Sequence, residues 1–151
     1  MEKERLQFLI SASSSIIYTR KTRPDYGINF ISNNVSQCLG YSPDEFINEP
    51  GLWINRIHYE DQARILSEIP RIFEKDCYTY EYRFRSKDGE YRWMFDDMRL
   101  IRDKNGNPTD IIGYLVDITH RKQMEVLLTF IYMVLFMIQP VYTCRKTTVL
   151  Q

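Results

Sequence analysis

Two histidines and three cysteines are the side chains in this sequence best suited to catalysis or metal binding. His58 opens the stretch HYED, whose acidic residues suit the first turn of a helix, so we expect it at a helix start. His120 follows the last predicted strand, where solvent exposure is the ordinary outcome. Cys38, Cys77 and Cys144 are odd in number and widely spaced, which fits neither a disulfide framework nor a zinc site. The sequence predicts no catalytic residue, no metal site and a cytoplasmic location.

Phosphate-binding loops and gathered carboxylates, two further signs of an active site, are also missing from the sequence. Twenty basic and twenty acidic residues cancel, so no overall field favours nucleic acid or an anionic surface. A chain of 151 residues with 44% hydrophobic and 26% charged side chains suffices for one globular domain. These features predict a globular protein that is not an enzyme and does not bind nucleic acid.

The elements that would position any site begin with a hairpin and continue with short helices. Residues 15–21 and 26–32 are rich in β-branched and aromatic side chains, and Pro24 and Asp25 between them favour a turn. In the stretch SPDE, Ser42 is placed as the N-cap of a helix, with a capping box completed three residues later. The helix that follows HYED should kink or end at a proline. A hairpin and several short helices are therefore predicted in the first half.

From residue 77 the hydrophobic period changes to two. The segments CYTYEYRFRS, EYRWMFDDMRLIR and DIIGYLVDIT are separated by the turn sequences KDG and KNGNP, which predicts an antiparallel three-stranded meander. The whole order is two strands, several short helices and three strands.

That order, together with three motifs, resembles the PAS domain. The motifs are NNVSQCLGYSPDEF after the second strand, YEYRFRSKDGEYRWM at the hairpin and GYLVDITHRKQME at the end, the last two forming the region called the PAC motif. The resemblance covers roughly residues 5–125. It is most specific to the PAS subclass that occurs in bacterial sensory proteins. It implies an α+β fold in which a five-stranded antiparallel sheet carries short helices over one face and encloses a small cleft.

The resemblance also implies a function in signal transduction. Such domains bind a small ligand or cofactor, form homodimers or associate with partner signalling domains, and pass a signal to an output domain through a C-terminal helix. Histidine kinases of two-component phosphorelay systems and diguanylate cyclases often carry them. We therefore expect a sensory module. The alternatives are an N-terminal fragment of a sensor histidine kinase whose catalytic domains are absent, and a purely structural dimerisation domain.

Three segments follow from this reading. Residues 1–12 form an N-terminal amphipathic helix, 13–120 the PAS domain, and 121–151 a C-terminal helix with an apolar tail. No charged side chain occurs from residue 126 to residue 144, but the strongly apolar part is too short for a bilayer and is followed by a proline. Membrane attachment through 126–144 is not favoured over burial of the helix against the domain or a partner.

Known cofactors of the family are not expected here. Flavin-binding relatives carry a reactive cysteine in a stretch NCRFLQ, whereas this chain has GLWINRI in the corresponding region. At the strand positions where those relatives have flavin-gripping amides, this chain has Phe84, Met94 and Leu115, which cannot pair with a flavin edge. The long helix carries no histidine, cysteine or methionine as an axial haem ligand. Neither flavin nor haem is therefore predicted.

A small apolar ligand and a cleft filled by its own side chains are both consistent with the sequence, and in a domain of this size aromatic residues more often fill the core. The candidate lining residues are Ile28, Phe30, Trp53, Tyr82, Phe84, Met94 and Leu115.

The hairpin YRFRSKDGEYRWMF has two candidate registers that differ by one residue. A two-residue Asp-Gly loop would set two arginines opposite each other. We therefore predict a three-residue loop with Gly89 in the left-handed conformation, with Phe84 opposite Met94 and Arg85 stacked on Trp93. In this arrangement Trp93 lies behind the sheet, and the cleft receives Tyr80, Tyr82, Phe84, Met94 and Met98.

The junction between the last strand and the outgoing helix is the candidate signal-coupling site. The family's Asp-x-Thr sequence matches Asp117 and Thr119, and either side chain can cap the helix and so set its direction from the sheet. Capping and signal coupling are both open roles, since one residue can serve in both.

Overall fold

The computed structural model describes residues 2–22 and 27–138, and its elements follow the predicted order. The strands are β1 (Ile16–Lys21), β2 (Ile28–Ile31), β3 (Cys77–Arg85), β4 (Tyr91–Arg102) and β5 (Pro108–Asp117). The helices are α1 (Glu2–Ser11), α2 (Val35–Leu39), α3 (Pro43–Asn48), α4 (Leu52–Arg56), α5 (Tyr59–Glu68), α6 (Ile72–Lys75) and α7 (Thr119–Ile138), with a 3₁₀ turn at Ile69–Arg71. The predicted turn at Pro24 and Asp25 lies outside the described residues.

All five strands form one antiparallel sheet in the order β2-β1-β5-β4-β3. The short helices supply buried apolar side chains such as Val35, Phe46 and Ile65, which pack with those of one sheet face into a single core. The predicted α+β fold, a five-stranded antiparallel sheet with helices over one face, is confirmed.

Local sequence signals explain where the helices begin and end. The Ser42 side chain accepts a hydrogen bond from the Glu45 backbone N–H, and the Glu45 carboxylate accepts one from the Ser42 N–H, so the predicted capping box is present. His58 is the N-cap of α5, as expected, and its Nδ1 accepts from the Glu60 N–H at 3.3 Å. Pro70 lies in the 3₁₀ turn that ends α5.

The hairpin between β3 and β4 has the predicted three-residue loop. The Ser86 N–H donates to the Glu90 carbonyl at 2.9 Å, and Gly89 has φ 94°, which explains why glycine stands there. The face assignment is also confirmed, because the cleft receives Tyr80, Tyr82, Phe84, Met94 and Met98, all buried.

The predicted partners across this hairpin are wrong by two residues. Closing the loop at Ser86 and Glu90 pairs Phe84 with Arg92, and Tyr82 with Met94. A shift of two residues keeps every side chain on its face, which is why the faces were right although the pairs were not. The guanidinium over the Trp93 ring is consequently that of Arg83, at 5.5 Å, and not that of Arg85.

The chain divides into two compact units, residues 1–119 and the segment from His120 onwards. In α1, Phe8 and Leu9 are 71% and 59% exposed, so these two apolar side chains are not covered. All side chains of α7 from 119 to 138 are at least partly exposed. Within residues 2–22 and 27–138, no helix is long and apolar enough to span a bilayer.

Candidate functional site

Six of the seven side chains predicted to line the cleft are buried. Strands β3, β4 and β5 contribute four of them, β2 contributes one at its start, and Trp53 comes from α4 on the opposite side. The six are Ile28, Trp53, Tyr82, Phe84, Met94 and Leu115.

The seventh, Phe30, is placed wrongly by the sequence prediction. It is 39% exposed and lies opposite Thr19 on the back of the sheet. The pairing of β1 with β2 shifts between Thr19 and Arg20, so Ile28 and Ile31 point into the core although they are three residues apart. Strict alternation of side chains from Ile28 would place Phe30 on the cleft face of the sheet. Because of the irregularity, Phe30 lies on the back face instead.

Side chains fill most of the cleft. Among the described residues, one cavity in the cleft measures about 10 Å³ and is lined by Tyr18, Arg20, Ile28, Trp53 and Leu115. This volume is near the smallest that holds one water molecule. This cavity is much smaller than a flavin or a haem.

A polar cluster occupies the centre of the cleft. Asp96 on β4 is 1% exposed, and its carboxylate accepts hydrogen bonds from the hydroxyls of Tyr18 at 2.9 Å and Tyr82 at 3.3 Å. The Tyr82 hydroxyl in turn accepts from the Trp53 indole N–H at 2.9 Å. A continuous chain of hydrogen bonds therefore links β1, β4 and β3 to helix α4.

Arg20 on β1 completes this cluster and is 3% exposed. Its Nη2 donates to the Met98 sulfur at 3.3 Å, and its guanidinium lies 5.5 Å from the centroid of the Trp53 ring. The Tyr80 hydroxyl donates to the same sulfur at 3.2 Å. A buried positive charge and a buried carboxyl group therefore share one small space.

Burial dominates the ionisation behaviour of the cluster. Loss of solvation raises the pKa of Asp96 to about 7, against the opposing effects of the Tyr18 hydrogen bond and the Arg20 charge. Burial, helped by the Asp96 charge, also raises the pKa values of Tyr18, Tyr80 and Tyr82. The three hydroxyls are therefore neutral donors near pH 7.

Sequence reasoning did not single out Asp96, Arg20 or Tyr18. A signal for Asp96 was available, because it lies between Met94 and Met98, both predicted to face the cleft. Its burial depends on a tyrosine 78 residues away in the chain, and no local pattern indicates that partner.

Gly113 makes the bond between Tyr18 and Asp96 sterically feasible. Gly113 on β5 pairs with Tyr18 on β1, and a Cβ at Gly113 would overlap the Tyr18 ring and hydroxyl. The ring therefore crosses the intervening strand where a side chain is missing, and so reaches Asp96 on the next strand.

The junction at the end of β5 brings together both predicted signal-coupling residues. The Asp117 carboxylate accepts from the Thr119 N–H at 2.8 Å and forms an ion pair with Arg92 at 3.4 Å. The Thr119 hydroxyl accepts from the Trp93 N–H at 3.0 Å, and the Ile118 N–H donates to the Trp93 carbonyl at 2.8 Å. Thr119, the first residue of α7, is thereby tied to β4.

Arg92 extends this junction to the hairpin loop. Its Nε donates to the Ser86 hydroxyl at 2.9 Å, and its Nη2 lies 3.4 Å from the Asp88 carboxylate. On β3, Arg83 donates to the Asp61 carboxylate of α5 through Nε at 2.9 Å and Nη2 at 3.0 Å. The Arg83 guanidinium also lies over the Trp93 ring. Hydrogen bonds and ion pairs therefore run from the hairpin loop and from α5 to side chains of β4 and β3.

The other chemically capable side chains stand apart. Cys38 is partly buried and burial raises its pKa, while Cys77 is exposed at the start of β3. His120 is exposed, and Cys144 lies outside the described residues. Among the residues that the structure describes, no group of three or more histidine, cysteine or acidic side chains is arranged to hold a metal ion.

The back of the sheet, opposite the cleft, carries a shallow groove. Its volume is about 390 Å³, and its lining mixes apolar and polar side chains, including Ile17, Arg99, Ile112 and Tyr114. Ile112 and Tyr114 are 43% and 38% exposed. This face therefore presents apolar surface to solvent.

Comparison with known proteins gives one consistent family. The family model described as the PAS fold matches residues 28–115. The methyl sulfide methyltransferase-associated sensor of Methanosarcina acetivorans is 30% identical over 128 residues, which is 83% of this chain and 13% of that protein. The two-component sensor PprA of Pseudomonas aeruginosa is 24% identical over 121 residues, 78% of this chain and again 13% of the relative. The chain thus spans about an eighth of each of these two relatives.

Solved structures agree. A sensory box histidine kinase/response regulator from Burkholderia thailandensis superposes with a TM-score of 0.66 at 28% identity, covering 87% of this chain and 97% of that one. The PAS domain of a protein from Colwellia psychrerythraea gives a TM-score of 0.65 at 22% identity, covering 80% and 99%.

Proposed function

Because the chain belongs to the PAS fold family of signal-sensing domains, we propose that it is a sensory module whose output leaves through the junction of Asp117 and Thr119 with α7. The observation that carries this proposal is the double attachment of the first turn of α7. Asp117 bonds to that turn and to Arg92, while Thr119 bonds to the backbone of Trp93. In this proposal Thr119, which is held at two points, follows any shift between β4 and β5 and passes it to the start of α7.

The cleft works without flavin or haem in this proposal. Its buried side chains supply no paired amides, helix α5 carries no histidine, cysteine or methionine, and the described cavity of about 10 Å³ supports a filled interior. The stimulus is then a change in the packing or charge of the cleft's own residues, or a small molecule that displaces them. A visible absorption band in protein purified from cells would contradict this part of the proposal.

No catalytic role is proposed for this segment, since the family model covers a sensory fold alone. The kinase names belong to the relatives that carry them. A cytoplasmic location is proposed because the three cysteines fit no disulfide framework.

Self-association is the second candidate function, and it is favoured by the back of the sheet. The apolar side chains Phe30, Ile112 and Tyr114 are each more than a third exposed there. A second copy of the chain or a partner signalling domain would cover them. Masses measured in solution for the full chain and for residues 1–125 test this proposal, and it is lost if both are monomeric at about 100 μM.

The relay is tested in a chimera in which residues 1–125 replace the matching domain of the P. aeruginosa two-component sensor. We expect Asp117→Asn and Thr119→Val to change the chimera's autophosphorylation several-fold, because each removes one attachment of α7. Asp110→Asn, which removes a solvent-exposed pair with Lys21, is the matched control. Equal activity in all four chimeras would refute the relay through this junction.

A further inference from the structure

The buried carboxyl group of Asp96 has no part in the junction described above, yet it lies at the centre of the cleft. We propose that Asp96 is a proton-binding site, and that gain or loss of its proton changes how helix α4 is held on the sheet. The proposal names the stimulus of the sensory module and so rests on the proposed function for its biological meaning. The binding of the proton itself depends only on the cleft.

The described cavity next to this cluster is very small. The cavity of about 10 Å³ beside Arg20 and Trp53 is too small for an organic ligand without repacking, whereas a proton needs no cavity. A proton is therefore the ligand whose size suits this site.

The hydrogen-bond donors to Asp96 are neutral. Only the Tyr18 and Tyr82 hydroxyls donate to the carboxylate in the described chain, and a buried carboxylate with two neutral donors is less well solvated than in water. Gly113 keeps the path of Tyr18 open, so the site is built by backbone as well as by side chains. A proton added to the carboxylate removes a buried negative charge without breaking any covalent bond.

The charges around Asp96 do not reverse this conclusion. The Arg20 charge favours the ionised carboxylate and that of Asp97 disfavours it, but both effects are smaller than the loss of solvation, and the pKa is raised to about 7. The titratable or charged groups that surround this cluster are Tyr18 and Arg20 of β1, Tyr80 and Tyr82 of β3, Asp97 of β4 and Glu68 of α5. Asp96 thus binds a proton about a thousandfold more tightly than an exposed aspartate.

Tyr82 connects Asp96 to α4. The Tyr82 hydroxyl accepts a hydrogen bond from the Trp53 indole and donates one to Asp96. When the carboxylate is ionised, the hydroxyl is therefore used both as a donor and as an acceptor. A protonated Asp96 presents its own O–H to one of these tyrosines, and at Tyr82 this O–H competes with the indole for the hydroxyl oxygen. Protonation therefore alters the bond that holds Trp53, and with it α4, against the sheet.

The test is an NMR titration of the full chain from about pH 4 to pH 9, with the aspartate carboxyl carbons and the tryptophan indoles isotopically labelled. We expect one aspartate to titrate near pH 7 and the Trp53 indole N–H to shift with the same midpoint, while the Trp93 indole follows it less. Asp96→Asn should remove that midpoint from both signals. Asp97→Asn changes the neighbouring position on the other face of the sheet. This variant should keep the Asp96 midpoint, moved slightly to lower pH.

Two outcomes overturn the proposal. If every aspartate titrates below about pH 5, Asp96 is not a proton site under ordinary conditions. If Asp96 titrates near pH 7 and the Trp53 indole does not respond, the coupling to α4 is wrong.

Tyr82→Phe keeps the test decisive should the asparagine variant fail to fold. It should raise the Asp96 midpoint, because one donor to the carboxylate is lost, and it should uncouple the Trp53 signal. These signals report on the cleft alone, so failure here is distinguishable from failure of the relay in the chimera.

Discussion

Replacing Asp96 by asparagine should change how the free energy of unfolding depends on pH. Its effect on the free energy of unfolding at any single low pH should be smaller. Asparagine has nearly the same shape as a protonated aspartic acid and cannot ionise. Comparison of the two proteins therefore isolates the free energy of burying the Asp96 charge, while the packing around it is kept.

The size and sign of the effect follow from the pKa of Asp96, which burial raises from 3.8 to about 7. Between these two pH values the folded chain holds a proton that the unfolded chain has released. The resulting stabilisation is full below about pH 4, falls as the pH rises, and is lost above about pH 7. Three pKa units correspond to about 4 kcal/mol in the free energy of unfolding.

Urea unfolding followed by circular dichroism, at intervals from about pH 4 to pH 8, measures this difference. The asparagine variant should gain about 4 kcal/mol relative to the wild type across that range. Asp97→Asn is the control and should leave the slope nearly unchanged, because Asp97 lies on the other face of the sheet. Parallel curves for the wild type and the Asp96 variant would show that the buried carboxyl does not retain a proton, and would refute the reasoning.

Three further substitutions test other parts of the structure by the same unfolding measurement. Gly113→Ala should cost about 1 to 3 kcal/mol because its Cβ overlaps the Tyr18 ring, and an unchanged stability would mean that the ring lies elsewhere. Arg83→Lys should cost about 2 kcal/mol, since lysine cannot make the two-pronged bond to Asp61, and full retention of stability would contradict that contact. Ser42→Ala should cost about 1 kcal/mol through loss of the helix cap, and a threonine there should restore most of it.

The proposed roles of the cleft and of the junction are connected by the strand order. Asp96 on β4 lies opposite Leu115 on β5, two residues before Asp117. A change of charge at Asp96 therefore acts beside the strand that ends at the outgoing helix. Family membership alone would not single out this residue, because the argument depends on the particular side chains that fill this cleft.

Several features of the fold could be predicted from short stretches of sequence. The capping box at Ser42, the left-handed Gly89 and the faces of the β3–β4 hairpin were all predicted correctly. Each depends on residues within about ten positions of one another, and the period of two places every second side chain of a strand on the same face whatever its partner.

Sequence alone therefore determined the order of the elements, the family and the faces of the central strands. The tertiary structure decided the rest. An irregularity between β1 and β2 reversed Phe30, loop closure at Ser86 set the true partners of the hairpin, and Asp96 was buried by a tyrosine from the far end of the chain. The burial of Asp96 required the structure because it depends on which strands become neighbours, and contacts between distant residues leave no periodic trace in the sequence. The Phe30 irregularity and the hairpin partners concern strands already predicted as neighbours, and there the local backbone geometry decided the register.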